Sequence, residues 1–416
     1  MFCDPAFTPV VEAFRQGVGP GGAALAVTAG GRLVVDVWAG TADESGTRPW
    51  RRDTVVNVFS VSKGVVATVA LLCARRGLLD LDAPVARYWP EFTARATVAQ
   101  LLSHRAGLPA IRSPLPPGSL YDWDAMTSAL AAEEPWWTPG ERHGYHAVTF
   151  GWLVGELLRR VTGREIRDLV SGVCGVSGLS GELGVPDLWI GLPRHEAHRA
   201  AFVLPPESPP APESPSTLEG ASAAGGASAT EGASTSEGAS TPGGPLSPAG
   251  PSGLEGSPLA EAMADPASVT AKAFLNPADQ LVPGLVNTGR WRAAQIPAAN
   301  GHASARALAT LYGALLSGDL LDPGTLERAT TVHSDGFDEV LRGRTRFGLG
   351  YMLPNEVRPF APRAEAFGHS GSGGSLAFAD PVAGIGFAYT PSRTITVPAG
   401  PDPRWPPILE ALYDRL

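Results

Sequence analysis

Apolar, β-rich runs stand at both ends of this chain, and helical patterns fill the space between them. Residues 23–28 and 33–38 are such runs, separated by Ala29, Gly30 and Gly31, which is a strong hairpin signal. Near the other end, residues 375–379 and 384–389 read as a second strand pair across a turn at Asp380 and Pro381. The simplest closure joins these terminal strands into one antiparallel sheet and leaves the middle of the chain to form a helical lobe. No regular alternation of strand and helix supports a doubly wound parallel sheet. The expected architecture is α+β with two lobes. Residues 1–80 and 290–416 would make a mixed α/β domain with an antiparallel sheet, and residues 81–289 a helical domain.

Helical patterns cover residues 60–76, stopped by Gly77, and 98–103, 124–132, 147–161 and 304–316. A short helix is expected within residues 1–16 and a terminal one at 406–413. Residues 204–260 differ, being dominated by Pro, Ser, Gly, Ala, Thr and Glu, with Glu-Gly-Ala-Ser recurring at 219, 231 and 237. Such a segment has too little apolar area to offset its ordering entropy, so it reads as a flexible insertion in the helical lobe.

With 416 residues the chain can bury a large core without metals or disulfides. Its net charge of −9 gives no basic footprint for nucleic acid. Cys3, Cys73 and Cys174 are scattered, without metal-ligand or redox spacing, so no metal or cofactor is expected. Residues 1–14 lack the basic and apolar regions of a secretory leader, and no apolar run is long enough to span a bilayer. These features predict a reduced, cytoplasmic protein without a membrane partner; they leave its oligomeric state open.

The chemistry concentrates at Phe59-Ser60-Val61-Ser62-Lys63-Gly64, where a strand-like run hands over to a helix. Lys63 lies one turn beyond Ser60 and shares its face, so its amine can take the serine proton if its pKa is lowered. Only two lysines occur, Lys63 and Lys272; arginine, which carries the other positive charge, is a very poor base. Tyr145 immediately precedes a helix, where its phenol can relay protons into a cleft, whereas His146 should face elsewhere. Residues 367–375 (FGHSGSGGS) run into a strand, and their glycines let backbone approach a substrate. His369 there reads as a polar wall, a proton-network member or a loop histidine. No Gly-x-Ser-x-Gly elbow stands in strand-to-helix context. Ser103-His104-Arg105-Ala106-Gly107 ends a helix and reads as structural.

These segments together resemble the serine β-lactamase-related esterases, the family VIII carboxylesterases, which are similar to class C β-lactamases and DD-peptidases. The resemblance runs through Ser60 to Lys63, LLSHRAGLP at 101–109, Gly144-Tyr145-His146-Ala147, Gly155-Glu156-Leu157, and Gly368-His369-Ser370-Gly371 leading to Phe378-Ala379-Asp380-Pro381. It implies a serine β-lactamase/DD-peptidase-like fold with the site between the lobes. It also implies Ser60 as acylated nucleophile, Lys63 as base, Tyr145 as proton shuttle, and the Ser60 and Ser372 N–H groups as oxyanion hole. Lys63 and Tyr145 would titrate as a coupled pair, which leaves the first proton acceptor open. Ala147 stands where the lactamases carry asparagine, and His369-Ser370-Gly371 replaces their Lys-Thr-Gly. Both changes favour a neutral ester over an anionic lactam, although a protonated His369 would partly replace the missing cation.

The expected activity is hydrolysis of short-chain or accessible carboxylic esters, with a small-molecule ester as the partner. Acyl transfer onto a secondary metabolite, amide or weak β-lactam cleavage, and non-catalytic binding are the alternatives. His369, Gly371 and Trp123 are the substrate-site candidates; Trp136, Trp137 and Trp189 read first as packing residues.

Overall fold

The computed structural model describes residues 1–171, 187–206, 256–282, 284–395 and 401–416. Strands β2 (Gly22–Ala29) and β3 (Arg32–Gly40) form the first hairpin. Gly30 and Gly31 join them with φ of +55° and +76°, the left-handed pair that a two-residue turn needs to match strand twist. At the other end, β10 (Leu376–Asp380) and β11 (Ile385–Pro391) pair antiparallel across the Asp380 turn. The two hairpins meet where β11 lies antiparallel to β2, from Ile385 opposite Ala29 to Pro391 opposite Ala23. With β1 (Phe2–Cys3) and β9 (Phe367–Ser370) added, the order is β1-β3-β2-β11-β10-β9.

This sheet is covered on both faces, which is why β2 and β11 read as continuous apolar runs rather than alternating ones. On one face Phe14 of α1 (Thr8–Gly17) meets Tyr389 edge-on, and α1 packs against the Trp405–Tyr413 helix. On the other, the Ala305–Leu315 helix presses so close to β11 that a Cβ at Gly386 would strike the Ala309 carbonyl.

Helix α2 (Val61–Arg75) is buried from Val61 through Cys73 and therefore apolar all round. It ends in a double bond pattern, Gly77 N–H to Ala74 O and Leu78 N–H to Cys73 O, with Gly77 at φ +71°. Against it pack α5 (Thr149–Thr162), itself in contact with α3 (Val98–Leu102) and α4 (Trp123–Ala132). A small sheet of β4 (Val56–Asn57), β6 (Gly301–Ala303) and β5 (Leu188–Ile190) guides the chain into Ser60. β5 falls in the stretch read from sequence as helical; three residues show too little period to identify.

Of the expected flexible segment, residues 207–255 lie outside the described residues, as does Cys174. Its ends belong to the fold. Leu204 accepts from Thr394 and donates to Ser392 O, and Pro258–Ala264 is a helix capped by Ser257. Among the described residues no helix is long and apolar enough to cross a membrane.

Candidate active site

Ser60 is the N-cap of α2, and Phe59 before it holds φ at +48°, a conformation that a bulky side chain rarely adopts. Ser62 over-determines this turn. Its hydroxyl donates to Phe59 O and accepts from Gly301 N–H at 2.9 Å, tying the start of α2 to β6. Backbone strain kept in place by such contacts is common beside reacting groups.

Lys63 follows one turn later and is fully buried. Its Nζ lies 3.3 Å from Ser60 Oγ, 2.7 Å from Ala147 O and 3.0 Å from Ala298 O. No carboxylate pairs with it among the described residues, and burial pulls its amine well below the ordinary lysine range. Two carbonyls from different parts of the chain thus hold this nitrogen beside the serine.

Tyr145 covers the same amine, with Nζ 4.6 Å from its ring centroid, and Ser60 bears on its phenol. Burial raises its phenol above the ordinary tyrosine value, so the ring keeps its proton. Its position is set from behind. Tyr145 N–H donates to both oxygens of buried Asp338, at 3.0 and 3.1 Å, and its ring stacks on Phe347 at 5.9 Å. Asp338 also accepts from the Val340 and Leu341 N–H groups and the Thr345 hydroxyl, so one carboxylate gathers the β7 (Ser334–Phe337) to β8 (Arg344–Phe347) turn beneath the tyrosine.

His104 completes that wall. It sits at φ +61°, accepts from His146 N–H at Nδ1, and packs 5.0 Å from Tyr145 and 4.5 Å from Phe347. Ser103 Oγ closes its helix by donating to Ala99 O, as a structural role requires. His146 turns away from Ser60: its Nδ1–H donates to Gly144 O and its Nε2 accepts from Leu108 N–H.

His369 lies on β9 with its ring 6.0 Å from Tyr145. Burial, then Lys63, push its imidazole down to about 3, so it is neutral at physiological pH and does not replace the missing lactamase cation. Its Nδ1–H donates to Ser370 O, while Nε2 has no hydrogen-bond partner among the described residues. Gly371 follows, where a Cβ would strike Val58 O, two residues before Ser60. The turn carrying Ser372 is closed by Gly371 N–H to Ser375 O at 2.7 Å. It is clamped from outside by Arg404 on Gly373 O and Trp405 on Gly374 O.

Trp123 does not join this group. Its Nε1–H donates to Glu156 on α5 at 2.8 Å, and its ring lies against Gly155 and lines a different cavity. Trp136 bonds to Ala110 O, and Trp189 packs with Val55, Leu192 and Ala200. Trp137 comes nearer, because its ring touches Gly144, immediately before Tyr145. Neither Ser62 nor Asp338 carries a sequence signal for its role: Ser62 occupies a variable position of a short motif, and Asp338 belongs to no motif.

Residues 9–405 match the beta-lactamase family. The chain is 34% identical over 408 residues to the esterase/beta-lactamase LipL of Mycobacterium tuberculosis, covering 94% of this chain and 82% of that protein. A crystal structure of a family VIII carboxylesterase superposes with a TM-score of 0.77 at 33% identity, covering 100% of this chain and 99% of the other. A penicillin-binding protein homologue from Caulobacter crescentus superposes at 0.78 with 34% identity, over 100% and 99% of the two chains. Match, coverage and fold agree, and the chain belongs to the beta-lactamase family.

Proposed function

We propose that this protein is a serine carboxylesterase, hydrolysing short-chain or sterically accessible carboxylic esters through an acyl-enzyme on Ser60. The observation that carries the reading is the environment of Lys63 Nζ. A neutral amine has two N–H bonds and one lone pair. With Ala147 O and Ala298 O taking the two hydrogens, the lone pair is left for the Ser60 hydroxyl. Lys63 is therefore the first proton acceptor, and Tyr145, kept as a phenol, is the proton donor to the departing alcohol.

In this mechanism Ser60 Oγ attacks the ester carbonyl while its proton passes to Lys63. The N–H groups of Ser60 and Ser372 hold the oxyanion. Collapse of the tetrahedral intermediate breaks the bond to the alcohol oxygen, which takes the Tyr145 proton; Lys63 returns its proton to the phenolate. Water then attacks the acyl-enzyme by the same path, freeing the acid and restoring Ser60. The neutral His369 and the methyl of Ala147 offer an anionic lactam neither a cation nor an amide, which supports the ester reading. The names of LipL and of the family VIII carboxylesterase support it as well. The free Cys3 and Cys73 thiols favour a reducing, cytoplasmic setting.

Treatment with a fluorophosphonate, followed by peptide mass mapping, should place one adduct on the peptide containing Ser60. Ser60→Ala should reduce p-nitrophenyl butyrate turnover to the buffer rate with the fold retained. Turnover that persists in this variant would end the proposal.

A further inference from the structure

Away from Ser60 the structure contains a cavity of about 690 Å³ with Arg167, Arg194, Arg290 and Arg292 in its lining. Tyr121 and Trp123 form its aromatic wall, and an adjoining cavity of about 640 Å³ shares both of them and Arg290. Four guanidiniums on one cavity are out of keeping with a chain whose net charge is −9.

Asp122 and Asp124 line the adjoining cavity that Arg290 also lines, but the larger cavity has no carboxylate in its lining. Glu165 lies 3.3 Å from Arg167 Nε without hydrogen-bond geometry and already accepts from Gln295 at 3.0 Å. Asp279, beside Tyr121, accepts from Gly118 N–H at 2.7 Å. Arg194, Arg290 and Arg292 have no carboxylate partner among the described residues. Arg292 is partly buried, and burial together with nearby Arg48 pushes its guanidinium below the usual value. The Arg290 guanidinium stacks on Tyr121 at 4.0 Å, which orients its plane and leaves its donor edge for a ligand. Clustered cations repel one another, and a bound anion would offset that repulsion. Guanidinium forks match the oxyanions of phosphate and carboxylate, and the volume suits a small molecule.

We propose that this cavity is a binding site for a small organic polyanion carrying two or more phosphate or carboxylate groups, separate from the Ser60 site. The full-length protein would be titrated calorimetrically with inorganic pyrophosphate and with citrate, against sodium chloride of equal ionic strength. The expected result is saturable one-to-one binding of at least one of them, weakened ten-fold or more by Arg292→Gln and by Arg194→Gln. Turnover of p-nitrophenyl butyrate should be unchanged in both variants. Arg194 is exposed, so its replacement leaves the fold intact even if Arg292→Gln does not. Whichever anion binds with that sensitivity tells phosphate from carboxylate recognition. Absence of saturable binding beyond the chloride control, or undiminished affinity in Arg194→Gln, overturns the proposal.

Discussion

Replacing Lys63 by methionine tests the neutral amine through stability rather than activity. In the unfolded chain this lysine titrates near about 10.4. In the folded protein burial holds it well below that, so over the interval between the two values the unfolded state carries one more proton on this residue. Stability therefore rises with pH across the interval, by about 1.4 kcal/mol per pH unit for one proton. Methionine keeps the length of the side chain and removes the titration. It also leaves the Ala147 and Ala298 carbonyls without the Lys63 donor, a loss of about 1–3 kcal/mol each. That loss is independent of pH, so the slope isolates the charge. Urea unfolding followed by tryptophan fluorescence at pH 7, 8 and 9 should show wild type gaining on Lys63→Met as pH rises, by up to about 1.4 kcal/mol per unit. A difference that stays flat would mean that the folded protein keeps Lys63 charged, and the proton-acceptor argument would fail with it.

Tyr145→Phe removes the proton donor and keeps the ring that covers Lys63; kcat should fall by about 10²–10⁴ with KM little changed, and an unaltered kcat would take Tyr145 out of the proton path. Ser62→Ala releases the Phe59 turn from both of its hydrogen bonds. It should cost about 1–3 kcal/mol in urea unfolding and lower kcat as well, whereas full activity would show that the turn holds without it. Gly371→Ala places a methyl against Val58 O and should shift the Ser372 turn, lowering kcat/KM at least about ten-fold, as loss of one oxyanion donor does. Wild-type kcat/KM in that variant would remove the turn from the oxyanion hole.

The strands and helices that read clearly from sequence are those that carry their own punctuation. Gly30 and Gly31 mark the first hairpin because only their left-handed φ closes it, and Gly77 marks the end of α2 for a similar reason. β5 has three residues and no such signal, so only its pairing with β6 identifies it as a strand. Within the site, Ser60 and Lys63 are visible because one helical turn joins them. The groups that hold them are not, because Ala147 O and Ala298 O are backbone carbonyls that any residue supplies. Trp123 shows the opposite difficulty. An aromatic at a helix start fits a substrate wall and a packing contact equally well, and only the structure shows this ring bonded to Glu156 and facing a different cavity.

Burial, which sequence shows least directly, then determines the chemistry. Lys63, His104 and His369 lie together without a paired carboxylate among the described residues, and burial drives each of them toward its uncharged form. Burial also keeps Tyr145 protonated, and therefore uncharged. A lysine cation at His369's position would work against that arrangement, because its charge would oppose the protonation of Lys63 that the proposed mechanism requires. With a neutral imidazole there, the charge that forms on Lys63 meets two carbonyls and the face of the Tyr145 ring. The same substitution removes the cation that would attract an anionic lactam. In the proposed mechanism, tuning of the base and preference for a neutral ester would both rest on one neutral imidazole.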